Sequence, residues 1–251
     1  MRRETQNVLL ILLGGALVKI ALNGDYLRYV KPAQQPWIIL GGAVMLLLGA
    51  TAIVRDIAAA RAEAKAAHES EADTEPPDAH GHHHHPARSA WLLVVPVLAV
   101  FLVAPPALGA DSVTRTEARL PSSASSTSAA AFPPLPAGAV VPMAMNEVVT
   151  RAGWDANGTL NGRTVQISGF VVHTGGQTLL ARLVISCCAA DAAPVTVHLK
   201  GGGADRFPSD TWLRVAGQIV PGTATEANSY TPDLVPVTVE RITAPKDPYE
   251  Y

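Results

Sequence analysis

Cys187 and Cys188 are adjacent, and they are the only cysteines among 251 residues. Adjacent thiols have three chemistries open to them. As thiolates they ligate soft or borderline metal ions such as Cu(I) and Zn. Oxidised, they close a strained vicinal disulfide of the reducible, regulatory kind. Left alone, a cysteine packs as a small apolar residue. Successive side chains of a strand point to opposite faces, so joint chemistry requires the strand to end or bulge at the pair. The following Ala189-Ala190-Asp191-Ala192-Ala193-Pro194 supports a strand end there. Further ligands would come from Asp191, His173 and His198, and Cys187, Cys188, Asp191 and one His would suit Zn or Cu(I). Each has a plainer reading. Asp191 would cap the turn before the next strand, and His173 and His198 alternate with apolar residues, as on an exposed strand face.

A second group of metal-ligating side chains is His80-Gly81-His82-His83-His84-His85, in a loop that holds six of the eight histidines, counting His68. Imidazole is a good ligand for Zn, Ni, Cu or Co. On an acidic stretch containing Glu69, Glu71, Asp73, Glu75 and Asp78, such a run captures ions without building a defined site. A low-complexity solvated linker with no metal role is the other reading.

The elements that must position these residues begin with apolar helices. Hydrophobic residues make up 48% of the chain and charged residues 16%, below the roughly 25% charge of a soluble domain. A membrane span takes about 20 mostly apolar residues. Three stretches qualify: about 8–22, 37–54 and 90–110. The first carries Lys19 near one end, where it can snorkel; Arg2 and Arg3 before it also fit a signal peptide, but no small-residue cleavage site follows. The second has Trp37 at its boundary and Gly41, Gly42 and Gly49 on a small-residue face that another helix can approach. The third contains Pro96, Pro105 and Pro106, which predict a kink and an early end. Arg2 and Arg3, and then Arg55, Arg61, Lys65 and Arg88, outweigh Arg28 and Lys31. The N-terminus and the 55–89 loop are therefore expected in the cytoplasm of the cell. Three spans then place everything after Asp111 outside it, as part of a multi-pass protein whose immediate surroundings are the lipid bilayer.

Residues 111–142, with Ser122 to Ser128 and Phe132-Pro133-Pro134-Leu135-Pro136, read as a disordered Ser/Ala/Pro tether. Residues 143–251 read as a small all-β extracytoplasmic domain, after a short helix at Glu147–Ala152 capped by Asn146. Five strand-like runs cover Thr164–Val172, Thr178–Ser186, Val195–Leu199, Trp212–Val220 and Leu234–Ile242, with Gly-rich turns between them. Their number and spacing predict an antiparallel five-stranded barrel like the OB fold. Gly169 and Gly217 interrupt two of the strands, as a bend at a barrel corner requires. The chain shows no Ser-His-Asp order, phosphate loop or paired-carboxylate setting, which argues against an enzyme. A net charge of -2 and scattered basic residues argue against nucleic acid as a partner.

The run from Arg182 to Ala192, Arg-Leu-Val-Ile-Ser-Cys-Cys-Ala-Ala-Asp-Ala followed by Pro194, resembles the signature of a bacterial family of membrane proteins with a DUF1980 region, described as permease subunits. The similarity extends to the N-terminal spans, the His-rich loop, the tether and the C-terminal domain. It implies a multi-span permease subunit as partner, hence an accessory role, and leaves the substrate undefined; the thiols and histidines make zinc or another transition metal the candidate. An envelope metal-binding or thiol-redox sensor is the alternative expectation.

Overall fold

The computed structural model describes residues 3–70, 106–115 and 132–251, with isolated positions 95, 98 and 99. It divides into two compact units, Met1–Tyr26 with Pro32–Pro105 and Leu27–Lys31 with Pro106–Tyr251.

The first unit contains α1 (Arg3–Asn23) and α2 (Gln35–Ser70). Both are long and apolar enough to cross a membrane, with a mean hydropathy of 1.6 over Gln6–Asn23 and of 2.3 over an 18-residue stretch within Pro32–Glu63. Glycine lets them pack closely. A Cβ on Gly14 would lie 2.8 Å from the Gly42 carbonyl oxygen, and one on Gly42 2.8 Å from Val18 Cγ2. One on Gly49 would lie 2.7 Å from Ile11 Cγ1. Gly42 and Gly49 thus form the expected small-residue face, while Gly41 has nothing within 4 Å. Trp37, Leu40, Leu47 and Leu48 remain exposed on α2, as side chains facing lipid would. α2 also runs on past the second span to Ser70, as the Ala-rich, increasingly polar run Ile53 to Ala67 predicts, since that composition favours helix.

Most of the expected third span lies outside the described residues, as do residues 71–89 of the expected His-rich loop and the centre of the tether; residues 55–70 of that loop belong to α2. The described residues after Pro105 do not continue one helix to Ala110, in keeping with the early end that the prolines predict. Residues 106–109 are irregular, and Ala110 opens a short helix, α3 (Ala110–Arg115). Pro105 and Pro106 account for the irregular stretch before α3, since proline removes a backbone donor and restricts the residue before it. α3 belongs to the second unit and buries Ala110 and Val113 against its sheet. Residues 132–142, assigned to a disordered tether, are also ordered. Phe132 is buried, Arg151 Nη1 donates to the Pro133 carbonyl at 2.9 Å, and Arg163 Nη2 donates to the Pro136 carbonyl.

The second unit is a mixed sheet of seven strands in the order β1-β2-β5-β6-β4-β3-β7, with β2 also paired to β3. They are β1 (Val140–Pro142), β2 (Thr164–Thr174), β3 (Gln177–Val184), β4 (Ala193–Leu199), β5 (Trp212–Ile219), β6 (Asp233–Arg241) and β7 (Tyr249–Glu250). All five expected strands are present. The expectation of a purely antiparallel sheet is corrected, because β1–β2, β4–β6 and β3–β7 are parallel. The two additional strands have three and two residues, too short to show an apolar alternation.

Alternation along β2 and β3 separates two cores. Val165, Ile167, Val171 and Leu180 face α4 (Met145–Trp154), with Met145 and Val148 fully buried. Phe170, Val172, Ala181 and Leu183 face α3 and Tyr249. The expected cap of α4 by Asn146 does not form; the N-cap is Ala144. Its first amides are satisfied from the other end of the unit. Glu250 Oε1 and Oε2 accept from Met145 N and Asn146 N at 2.9 and 2.8 Å, where a carboxylate also meets the positive end of the helix.

Candidate functional site: a vicinal thiol turn

β3 ends at Val184, before the cysteines. Ile185 is buried and donates its N–H to the Glu250 carbonyl at 3.0 Å, which fixes where the chain leaves the sheet. Ser186 and Cys187 then bend outward, and Ala189–Asp191 forms a single 3-10 turn leading into β4. The Asp191 carboxylate holds the bend together, accepting from Ser186 N at 2.9 Å and Cys187 N at 2.8 Å. Its turn-capping role is therefore present in the structure.

Because the chain has left the strand, the alternation of side chains no longer applies. Cys187 Sγ and Cys188 Sγ lie 3.8 Å apart, with Cys187 exposed and Cys188 half-buried. The backbone of Cys188 is extended and forms an antiparallel bridge with Val30, and Ala189 N donates to the Tyr29 carbonyl at 2.7 Å. Segment Leu27–Lys31, between α1 and α2 in the chain, is thus part of the same unit as the thiol turn. Tyr249 reinforces it, its hydroxyl donating to the Arg28 carbonyl at 3.0 Å.

The electrostatics favour the protonated thiol at Cys187. Hydrogen bonding to Asp191, and then to Cys188, pushes the Cys187 pKa up to about 11. Desolvation works against charge on Asp191. The Cys187 thiol and the amides of Ser186, Cys187 and Cys188 outweigh it and hold the carboxyl below its ordinary value.

The expected additional ligands are elsewhere. His173 Nε2 lies 2.8 Å from the Phe207 carbonyl and its Nδ1 3.3 Å from Thr178 Oγ1. His198 Nδ1 lies 3.0 Å from Asp233 Oδ1. Among the described residues no group of three or more His, Cys, Asp or Glu side chains is arranged to hold a metal ion. The expected four-ligand set of Cys187, Cys188, Asp191 and a histidine does not assemble, because Asp191 turns its oxygens to backbone amides and the histidines have partners on other strands. His82, His83, His84 and His85 lie outside the described residues.

Three positioning residues have no counterpart in the sequence reading: Arg182, Tyr249 and Glu250. Buried Arg182 donates from Nη2 to the Tyr249 carbonyl at 3.1 Å and stacks over Trp212 at 5.0 Å. Its Nε lies 3.6 Å from Glu250 Oε1. Together they fasten β7 beside β3 and fix the exit toward the cysteines. A lone arginine in an apolar strand was the available signal; its partners are 67 residues away for Tyr249.

An apolar helical pair joined in one chain to a mixed-sheet domain that exposes a vicinal thiol turn defines the class. Models of the DUF1980 N-terminal domain and the DUF1980 C-terminal domain match residues 5–118 and 154–251. Together these cover most of the chain, which belongs to the DUF1980 family. No curated protein matches the sequence.

Proposed function

We propose that this chain is a membrane-anchored accessory subunit of a permease, whose β-domain passes a soft transition-metal ion through Cys187 and Cys188. The observation that carries the reading is the 3.8 Å approach of two sulfurs on an outward turn. Thiolates select Cu(I) and Zn. Zn takes four ligands in a closed structural site, and this turn offers two, so open positions remain for water or for a partner's donors. Such a site suits transfer better than storage. The raised Cys187 pKa adds a direction: binding must displace a proton, so affinity rises with pH until the thiol ionises unaided near 11.

The anchor is read as three spans in a cell membrane, with the β-domain on the extracytoplasmic side and built as an OB-like barrel. Connectivity supports this. Leu27–Lys31 packs within the same unit as residues 106–251, so a chain that crosses with α2 has to cross back before Pro106. The circular pairing β2–β5–β6–β4–β3–β2 supports the barrel. A mid-membrane pathway needs polar groups, and Lys19 is the only charge in the expected spans, hence the multi-span partner.

Titration of the full chain in detergent with Cu(I), and separately with Zn(II), against a competing chelator tests the metal role. One ion per chain beyond any held by the His80–His85 run is expected, with that site lost in both Cys187→Ser and Cys188→Ser and strengthened as pH rises. Equal affinity in the wild type and both variants would remove the site. Purification from a membrane extract tests the accessory role: a multi-span permease should accompany the chain, and a chain that runs alone counts against it.

The same proximity also favours a second reading, a thiol-redox sensor. Here the two thiols surrender two protons and two electrons to an exchanging disulfide, and intact mass under non-reducing conditions falls by two hydrogens.

A further inference from the structure

A cleft of about 580 Å³ opens on the second unit, lined by α3, the end of the β2–β3 hairpin, β4 and the turn before β6. Neither cysteine lines it. Its volume falls in the range of small-molecule sites, roughly 300–1,000 Å³. β4 supplies its chemistry through alternation: Val195, Val197 and Leu199 enter the main core, while Thr196 and His198 line the cleft.

The charged groups there form one connected set. Asp233 Oδ1 pairs with His198 Nδ1 at 3.0 Å, and its Oδ2 lies 3.4 Å from Lys200 Nζ. Of the two neutral tautomers, a carboxylate at Nδ1 selects the one that carries its proton there, which leaves Nε2 as the acceptor. Exposure orders the charges for an incoming solute. The Lys200 side chain is 47% exposed, against 23% for Asp233 and 14% for His198. A solute therefore meets an ammonium first, then the Asp233 carboxylate, already engaged by Lys200 and His198, with the imidazole acceptor deepest. Val113 and Leu179 add an apolar wall suited to a short carbon chain.

We infer that this cleft binds a small hydroxycarboxylate: its carboxylate pairs with Lys200, and its neighbouring hydroxyl donates to His198 Nε2. The proposal is independent of the thiol turn. A purely structural role for the His198–Asp233 pair, clamping β4 to β6 where only two residue pairs are in register, predicts no ligand at all.

The substitution His198→Asn separates the two roles. Its amide N–H can stand in for Nδ1–H toward Asp233, but nothing replaces Nε2. Lys200→Gln removes the ammonium at an exposed position that the fold does not need. The experiment is calorimetric titration of the full chain in nanodiscs with L-malate, succinate and glycerol. Malate should bind saturably. Succinate, which lacks the hydroxyl, should bind about tenfold or more weakly, as should malate to each variant, given the worth of hydrogen bonds to charged groups. Glycerol should not bind, and Cys187→Ser should bind malate like the wild type. Absence of saturable malate binding overturns the proposal. So does equal binding of malate and succinate, or undiminished binding in Lys200→Gln or in a folded His198→Asn.

Discussion

At the scale of single residues, Asp191 sets the character of the thiol turn. Its carboxylate accepts two amides of the bend and the Cys187 thiol, and so opposes formation of the thiolate next to it. Since the thiolate is the reactive form, Cys187 should alkylate slowly at neutral pH. Asp191→Asn removes the negative charge, lowers the thiol pKa and should raise the rate of iodoacetamide modification at about pH 8, by roughly tenfold for each unit of pKa. Peptide mass spectrometry of Cys187 across a pH series reads this directly. An unchanged rate would mean that Asp191 only shapes the bend. The pair itself was legible in the sequence, as was the strand end beside it, because Ala-Ala-Asp-Ala-Ala-Pro lacks strand character. Arg182 and Glu250 were not, since a buried ion pair between β3 and the C-terminal strand leaves no local pattern.

At the scale of elements, one glycine lets a long strand change partners and another sits at a shift of register. β2 pairs with β5 through Phe170 and with β3 from Phe170 onward, and Gly169 lies at that change. A Cβ there would come within 2.5 Å of the Ala181 carbonyl oxygen and 2.9 Å of Met145 Cε. Gly217 borders the register irregularity in β5–β6, where a Cβ would lie 2.5 Å from the Val235 carbonyl oxygen. Backbone oxygens cannot step aside as a side-chain tip can. Gly169→Ala and Gly217→Ala should each destabilise the β-unit by about 1–3 kcal/mol, read as an earlier unfolding transition in denaturant. Wild-type stability in both would show that the sheet relaxes around the added methyl. These glycines and the five longer strands could be read from the sequence, because interrupted apolar alternation is a local signal. β1 and β7 could not, as their pairing depends on partners distant in the chain. Nor could the order of residues 132–142: a Pro-rich run looks like a tether until Arg151 and Arg163 are seen to hold its carbonyls.

At the scale of the whole molecule, the proposed anchor puts the β-unit on the extracytoplasmic side of a membrane, and the thiol turn makes that proposal measurable. The chain has two cysteines in all, so every thiol it owns sits in one spot, 3.8 Å from its neighbour, with Cys187 exposed. One trivalent arsenic atom can bond both sulfurs, and no other place in the chain can offer it two. A membrane-impermeant arsenical fluorophore is therefore a sidedness label that requires no engineered cysteine and no fused reporter. Staining of intact cells should equal staining after permeabilisation, and Cys187→Ser should abolish both; staining that appears only after permeabilisation would reverse the assigned orientation. A residue pair that evolution placed at the end of a strand thus doubles as a built-in compass for the chain that carries it.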